Sequence, residues 1–263
     1  MKTIATMATY HPRILSVVWN AVESLADQVD EIHLNINPPI DDLMRWRIDQ
    51  QVQRISERHS AQIRVGWMKH DIGDLAKFAP LVCGEFQNDD VILICDDDII
   101  YPADYVYRMR IRLATINNKA NFYVKKKQAI ASLGGKVMGA GPYESFRGSW
   151  AERIGFFENA KEFKIIDIPL TGGVAMYGRA LDKGLYIDER FRNKGDIMLA
   201  SWARAHGHFI WSVPKDEAWC KYNPLMTMGV QTIWSDMVHN PHTERDIATL
   251  LNEVFYNDKT EKV

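Results

Sequence analysis

Short apolar runs alternate with stretches of helical periodicity along the first hundred residues. Residues 3–9 are mostly apolar and residues 91–95 wholly so, which is typical of strands buried in a parallel sheet. Between such runs, apolar positions recur at three- and four-residue intervals, which predicts amphipathic helices. The alternation predicts a parallel sheet with right-handed crossovers. The predicted strands are residues 3–9, 31–37, 63–67 and 91–95, and the predicted helices are 12–25, 41–55 and one that opens at 71–74.

The regular alternation ends after residue 102. Glycines and aromatic residues become frequent there, and the predicted elements are shorter. We expect one α/β domain over residues 1–263, with residues 1–102 as a nucleotide-binding half, although neither Gly-x-Gly-x-x-Gly nor a Walker loop occurs in it. The later predictions are helices at 105–116, 196–205 and 244–255, and strands at 121–124, 128–132, 165–168, 171–177 and 209–213.

Three consecutive carboxylates, Asp96, Asp97 and Asp98, follow the apolar run 91–95. Ligands of parallel sheets bind beyond the carboxyl ends of the strands. Adjacent carboxylates repel one another, and a nearby cation relieves that repulsion. In an extended segment Asp96 and Asp98 point the same way, which suits one hard divalent ion. The alternative is an acidic turn that caps a following helix, because aspartate is common at both positions.

Composition places the chain among ordinary soluble globular proteins. It has 263 residues, of which 46% are hydrophobic and 25% charged, and this supports one sizeable core. A net charge of -2 gives no electrostatic reason to expect nucleic acid or an anionic membrane as partner. The three cysteines lack Cys-x-x-Cys spacing, as expected for reduced thiols. The sequence shows neither a signal peptide nor an apolar run of membrane-spanning length, so a cytoplasmic protein without a transmembrane segment is expected.

The acidic segment also resembles a known motif. A strand followed by Asp-x-Asp at 96–98 and Ile-Ile-Tyr-Pro at 99–102 is similar to the metal-binding motif of GT-A fold glycosyltransferases of the family-two type. The resemblance implies a Rossmann-like, mostly parallel central sheet flanked by helices, with a smaller mixed acceptor-side region. It implies that Asp96 and Asp98 bind Mn²⁺ or Mg²⁺, and that Asp96 and Asp97 contact a nucleotide sugar. Residues 1–102 would then bind the donor and residues 103–263 the acceptor.

Other donor-site residues follow from the same resemblance. The loop after the first strand offers Thr9, Tyr10 and Arg13 to the base, ribose and phosphate. The stretch 71–77 resembles the second nucleotide-contacting segment, with Asp71 near the base and Lys77 near ribose or phosphate. Ordinary structural roles remain open for both segments, such as Tyr10 covering the sheet end. The glycine-bearing loop that faces the donor sugar corresponds here to Gly172 and Gly173.

The expected catalytic base is Asp196, at the start of a predicted helix. Inverting members of the resembled family place their base there, usually in a Glu-Asp pair, whereas this chain has Gly195 before the aspartate. A helix-capping role is compatible with the base role. A late histidine, His239 or alternatively His242, would complete the metal shell.

The acceptor half contains candidates to line an acceptor site, although a hydrophobic minicore explains such residues equally well. The resemblance predicts transfer of a sugar from a nucleotide diphosphate, a UDP-sugar foremost, to a hydroxyl of a glycan, a lipid-linked saccharide or another acceptor. The expected role of Asp196 implies that the reaction inverts the anomeric configuration. A modified base in DNA is the least expected acceptor, given the absence of a basic face. The acceptor-site candidates are Tyr143, Phe146, Arg147, Trp150 and Phe156.

Three other classes stay open at this stage. A sugar nucleotidyltransferase would carry a glycine-rich loop with Arg and Lys after its first strand, where residues 9–12 read Thr-Tyr-His-Pro. A haloacid-dehalogenase-type phosphatase would carry Asp-x-Asp-x-Thr after its first strand, whereas Asp98 is followed by two isoleucines after the fourth. A non-catalytic nucleotide- or carbohydrate-binding protein would show metal-independent binding and no turnover.

Overall fold

An eight-stranded mixed sheet organises the fold, and helices flank it. The computed structural model describes residues 1–84, 86–123, 128–227 and 241–256. Within these ranges the helices are α1 (Val17–Leu25), α2 (Asp42–Ser56), α3 (Ala79–Cys83), α4 (Tyr105–Tyr123), α5 (Gly195–Ala205) and α6 (Pro241–Leu251). The strands are β1 (Thr3–Thr9), β2 (Glu31–Ile36), β3 (Gln62–Trp67), β4 (Val91–Cys95), β5 (Ile99–Ile100), β6 (Ala129–Ser132), β7 (Gly135–Met138), β8 (Trp150–Ile154), β9 (Lys164–Ile166), β10 (Ile168–Pro169), β11 (Gly173–Tyr177), β12 (Phe209–Ser212) and β13 (Lys221–Tyr222).

The first half of the large sheet is parallel, which confirms the α/β alternation predicted from the sequence. Its strands lie in the order β3-β2-β1-β4, and every pairing among them is parallel. All five residues of β4 are buried. Val91, Leu93 and Cys95 belong to the apolar cluster on one face of the sheet, whereas Ile92 and Ile94 belong to the cluster on the other. Helices cover both faces, so the carboxyl end of β4 is its one route to a ligand.

The second half of the sheet mixes strand directions. β11 pairs antiparallel with both β4 and β6, β12 is parallel to β6, and β9 closes the edge antiparallel to β12. The sheet is therefore mixed rather than mostly parallel along its whole width. In the β4–β11 register Gly173 lies opposite Cys95, so the loop that precedes β11 is placed beside the three aspartates.

Two small sheets complete the fold next to this edge. β10, β7 and β8 form an antiparallel three-stranded sheet, and β13 pairs with β5 directly after the aspartates. The sequence pattern did not predict β5, β7, β8 or β13. These strands are short, and their residues alternate too irregularly to give a period-two signal.

Some predicted elements differ in the structure. The strand expected at 165–168 is divided between β9 of the large sheet and β10 of the three-stranded sheet. The helix expected to open at 71–74 is a 3-10 helix at Gly73–Phe78 followed by the short α3; Gly73 has a left-handed φ of 64°, which an ordinary helix does not admit. The prediction of a strand at 121–124 was wrong, because α4 continues through residue 123. The tertiary context overrides the local β propensity of these residues. Position 124 lies outside the described residues.

No helix in the part of the chain that the structure describes combines the length and apolar character needed to cross a membrane.

Candidate functional site

A cavity of about 1030 Å³ opens at the carboxyl edge of the large sheet. The loops after β1, β2, β3 and β4 line it, together with the loop before β11 and the start of α5. This is where a sheet with parallel strands presents its ligand crevice. Most of the site residues predicted from the sequence meet here: Thr9, Tyr10, Arg13, Asp71, Lys77, Asp96, Asp97, Asp98, Gly172 and Asp196.

Asp97 belongs to a buried ion pair in the lining of the cavity. Its side chain accepts a hydrogen bond from Arg13 Nη1 at 2.5 Å and another from Thr9 Oγ1 at 2.7 Å. Asp97 is 4% exposed and Arg13 8%. Burial alone lowers the pKa of Arg13, but Asp97 and Asp98 more than offset that effect and raise it. Thr9 and Arg13, predicted to contact the nucleotide, thus hold the acidic loop from below.

Lys77 links the acidic loop to the start of α5. Its Nζ donates to Asp96 Oδ1 at 2.6 Å and to Thr171 Oγ1 at 3.1 Å. Thr171 in turn donates to Asp196 Oδ1 from its hydroxyl, at 2.6 Å, and from its backbone N–H, at 2.8 Å. Lys77 is buried, and although burial lowers its pKa, Asp96 and Asp74 more than offset that effect. The chain of contacts from Asp96 to Asp196 spans one side of the cavity.

Asp196 is not the N-cap of α5, contrary to its expected capping role. The N-cap is Lys194, and Asp196 lies in the first turn of the helix, where a negative charge is favoured by the helix dipole. Its side chain is half-buried and lines the cavity. Because Thr171 occupies Oδ1, Oδ2 is the carboxylate oxygen left for a ligand.

Asp98 carries the least compensated charge of the acidic loop. Its nearest cation is Arg13, with Nη1 3.3 Å from Asp98 Oδ2, and Arg13 is shared with Asp97. Burial raises the pKa of Asp98 to about 7, and the carboxylates of Asp97 and Asp96 add to that shift. Three carboxylates face two cations, so the loop has an excess negative charge that a further cation would neutralise.

The oxygen donors of this loop fit Mg²⁺ or Mn²⁺, which prefer carboxylates and water. Asp96 and Asp98 both line the cavity, and the Asp96 side chain is 39% exposed. Among the described residues, no group of three or more His, Cys, Asp or Glu side chains is arranged to hold a metal ion. Asp96 and Asp98 would supply side-chain ligands to such a metal, and water or a diphosphate would fill other positions.

The two glycines before and within β11 have different surroundings. A Cβ on Gly172 would lie 2.4 Å from Asp96 Oδ2, so a side chain at this position would displace that carboxylate. A Cβ on Gly173 would instead meet the Leu133 side chain in the core, at 2.7 Å, and Gly173 does not line the cavity. Only Gly172 of the predicted pair therefore borders the site.

Asp74 is a site residue that sequence reasoning did not single out, although it lies within the 71–77 stretch. Its Oδ2 accepts the Gly195 N–H at 2.9 Å, and its Oδ1 is buried without a hydrogen-bond partner. Burial raises the pKa of Asp74 to about 6, although Lys77 opposes the shift. Asp71, by contrast, is exposed and pairs with Arg192 Nη2 at 2.5 Å.

The predicted late histidines do not add to the described site. His239 lies outside the described residues. His242 is exposed at the start of α6 and does not line the cavity.

Three of the five predicted acceptor-side residues, Phe146, Trp150 and Phe156, line the cavity. Tyr143 is buried away from it, and its hydroxyl donates to Gly139 O at 3.0 Å. Arg147 forms an ion pair with Glu244 at 2.9 Å. The structure adds residues to this wall that sequence reasoning missed: Lys136, Arg153, Phe157 and Tyr222.

Comparison with known proteins gives no family. No family model matches the chain, and no curated protein matches it. The solved structure of HddC from Yersinia pseudotuberculosis is similar with a TM-score of 0.39 and 11% identity, over 72% of this chain and 81% of that one. The structure of mannose-6-phosphate isomerase from Helicobacter pylori is similar with a TM-score of 0.40 and 12% identity, over 80% and 85%. Likeness at this level supports neither a detailed fold assignment nor a function.

The buried pair predicts that Arg13→Met will destabilise the protein by about 3–5 kcal/mol at neutral pH, because it leaves Asp97 buried without its cation. Adding Asp97→Asn should recover at least half of that loss. Urea denaturation followed by circular dichroism measures both. Arg58→Met serves as control, since Arg58 pairs with Glu23 on the surface and should change stability by less than about 1 kcal/mol. A wild-type stability for Arg13→Met would contradict this account.

The environment of Asp74 predicts a pH-dependent gain in stability for Asp74→Asn. The folded-state pKa is raised, so the ionised carboxylate destabilises the fold; wild-type stability falls as pH rises from the unfolded-state pKa near 4 to about 6. The advantage of Asp74→Asn should grow by roughly 1–3 kcal/mol across that range and stay constant above it.

Urea denaturation of wild type and Asp74→Asn from pH 4 to 8 measures this difference. The exposed Asp49, on the outer face of α2, supplies the control Asp49→Asn. An equal pH dependence of wild type and Asp74→Asn would show that Asp74 ionises as freely in the folded chain as in the unfolded one.

Proposed function

We propose that the protein is a metal-dependent glycosyltransferase of the GT-A type that moves a sugar from a nucleotide diphosphate, a UDP-sugar foremost, to an acceptor hydroxyl with inversion. One observation carries the proposal. An acidic loop at the end of a buried parallel strand and a carboxylate at a helix start face the same cavity, joined through Lys77 and Thr171. Transfer from a diphosphate needs these two groups: a place for the leaving group's charge and a base for the acceptor.

The two halves of the fold support the same assignment. The parallel half ends in the acidic loop, and the mixed half contributes aromatic residues to the lining of the same cavity. This division matches the donor and acceptor halves that the sequence resemblance implies. The loop after β1 holds Asp97 through Thr9 and Arg13, so it is not free to wrap phosphates as a nucleotidyltransferase would require.

On the donor side, the residues of the chain fix the acidic loop in place. Arg13 and Lys77 hold Asp97 and Asp96 from beneath, and Gly172 leaves room for the Asp96 carboxylate. Asp96 and Asp98 would hold Mn²⁺ or Mg²⁺, which when bound supplies positive charge to the departing diphosphate. Tyr10, at the cavity edge, offers an aromatic face to a base.

On the acceptor side, Asp196 is placed to accept a proton. Thr171 fixes the carboxylate through Oδ1, and Oδ2 would take the proton of the acceptor hydroxyl as its oxygen attacks the anomeric carbon. The bond to the diphosphate breaks on the opposite face of the sugar, which inverts the configuration. A carboxylate suffices as base because the leaving group is already stabilised.

The donor site predicts metal-dependent nucleotide binding. Isothermal titration of UDP and GDP with Mn²⁺ should show binding of UDP that weakens at least about tenfold in EDTA, because the diphosphate then faces uncompensated carboxylates. Asp98→Ala should lose the metal dependence, and the control Asp49→Ala should keep it. An absence of nucleotide binding under every condition would refute the donor-site proposal.

The base role predicts that Asp196→Asn separates binding from turnover. The variant should bind UDP with Mn²⁺ as the wild type does, but release UDP from a UDP-sugar about 10²–10⁴-fold more slowly, the usual contribution of a general base. Coupled detection of released UDP, with water as the default acceptor, measures the rate for a panel of UDP-sugars. Unchanged turnover in Asp196→Asn would remove this residue from the chemistry.

A further inference from the structure

Lys136 is a buried cation in the wall of the cavity. It lies on β7, the central strand of the three-stranded sheet, between β8 and β10. Only 6% of the residue is exposed, and the residue lines the cavity. Its ammonium lies 4.7 Å from the ring centroid of Phe146 and 5.1 Å from that of Trp150.

The Lys136 ammonium has aromatic neighbours but no bonded anion. Among the described residues, no hydrogen bond or ion pair involves its Nζ, and the two rings supply only cation–π attraction. Burial lowers the pKa of Lys136, and the charge of Asp196 opposes that shift. Burying an ammonium without an anionic partner is costly, so this position is suited to a group that arrives with a negative charge.

The surroundings favour a negatively charged sugar. Trp150 and Phe156 are half-buried and line the cavity, and the Trp150 ring centroid lies 5.0 Å from that of the buried Phe146. Flat apolar rings beside a fixed cation accommodate both parts of an acidic sugar, the ring and its charged substituent. Arg153 lies opposite Lys136 in the β7–β8 register and also lines the cavity, with its guanidinium paired to Glu158 at 2.9 Å.

We propose that Lys136 binds the carboxylate of an acidic sugar, so that the acceptor of this enzyme is a glycan carrying a uronic acid or similar residue. The assignment of this sugar as the acceptor rests on the glycosyltransferase function proposed above, whereas the anion site itself does not. Lys136 then sets acceptor specificity.

The position of Lys136 distinguishes it from the cations of the donor side. Lys77 and Arg13 donate hydrogen bonds to the aspartates that follow β4. Lys136 belongs to a different sheet, and the carboxylate that acts on it is Asp196, the proposed base. Lys136 and Asp196 line the same cavity, so a sugar whose anion binds Lys136 shares that cavity with the proposed base.

Paired probes that differ only in charge test this proposal. The glucuronide and glucoside of p-nitrophenol, and the galacturonide and galactoside, are titrated calorimetrically into wild type, with and without UDP and Mn²⁺. At least one uronide should bind about tenfold or more tightly than its neutral partner, and Lys136→Met should abolish that preference. A second arm compares glucose 6-phosphate with glucose. Tighter binding of the phosphate, with no preference for either uronide, would overturn the carboxylate assignment.

Lys164→Met is the matched control, because Lys164 lies on β9, pairs with Glu152 and does not line the cavity. It should retain the uronide preference. A loss of UDP affinity in Lys136→Met would place Lys136 in the donor site, and slowed UDP-sugar hydrolysis with the uronide preference intact would make it a positioning residue for Asp196. Either result, or a wild type without preference for any acidic probe, overturns the proposal. A uronide preference in a protein that does not bind UDP would support the anion site at Lys136 and contradict the proposed glycosyltransferase function.

Discussion

The structure depends on how it compensates the three carboxylates at the end of β4. That strand is buried on both faces, and its carboxyl end delivers Asp96, Asp97 and Asp98 to the cavity, where Asp97 is buried and the Asp96 side chain stays 39% exposed. Two buried cations form ion pairs with them: Arg13 from the segment after β1 and Lys77 from the 3-10 helix after β3. These two cations hold the loop in place. Because they face three carboxylates, the loop keeps an excess negative charge at the cavity.

The second half of the chain is arranged around the same loop. β11 runs antiparallel to β4, so the residues before it pass beside the aspartates, and Gly172 makes room for Asp96. Thr171 then connects Lys77 to Asp196 at the start of α5. The resulting network couples the proposed leaving-group site to the proposed base. A change at Thr171 or Gly172 would therefore disturb both sides of the reaction.

Local sequence signals predicted the parallel half of the fold and the position of the acidic loop, since the apolar runs and helical spacing of residues 1–102 are strong. The resemblance to GT-A glycosyltransferases, rather than a local signal, singled out Asp196, and both Asp96 and Asp196 line the cavity. Local signals did not predict that Arg13 and Asp97 form a buried ion pair, to which Thr9 adds a hydrogen bond, because burial of a polar residue depends on long-range packing. Nor did they find Lys136, whose neighbours are set by the pairing of β7 with β8 and β10. A lone lysine in a short strand carries no local signal of an anion site.

The central claim is that Asp96 and Asp98 hold a divalent ion against the diphosphate of a donor. The most direct measurement is anomalous diffraction from crystals grown with Mn²⁺ and UDP, collected at the manganese edge. The account predicts an anomalous peak at metal-ligand distance from Asp96 and Asp98, with the diphosphate on its far side and the uridine towards Tyr10. UDP bound in the cavity without a manganese peak, or a peak at another place, would contradict it.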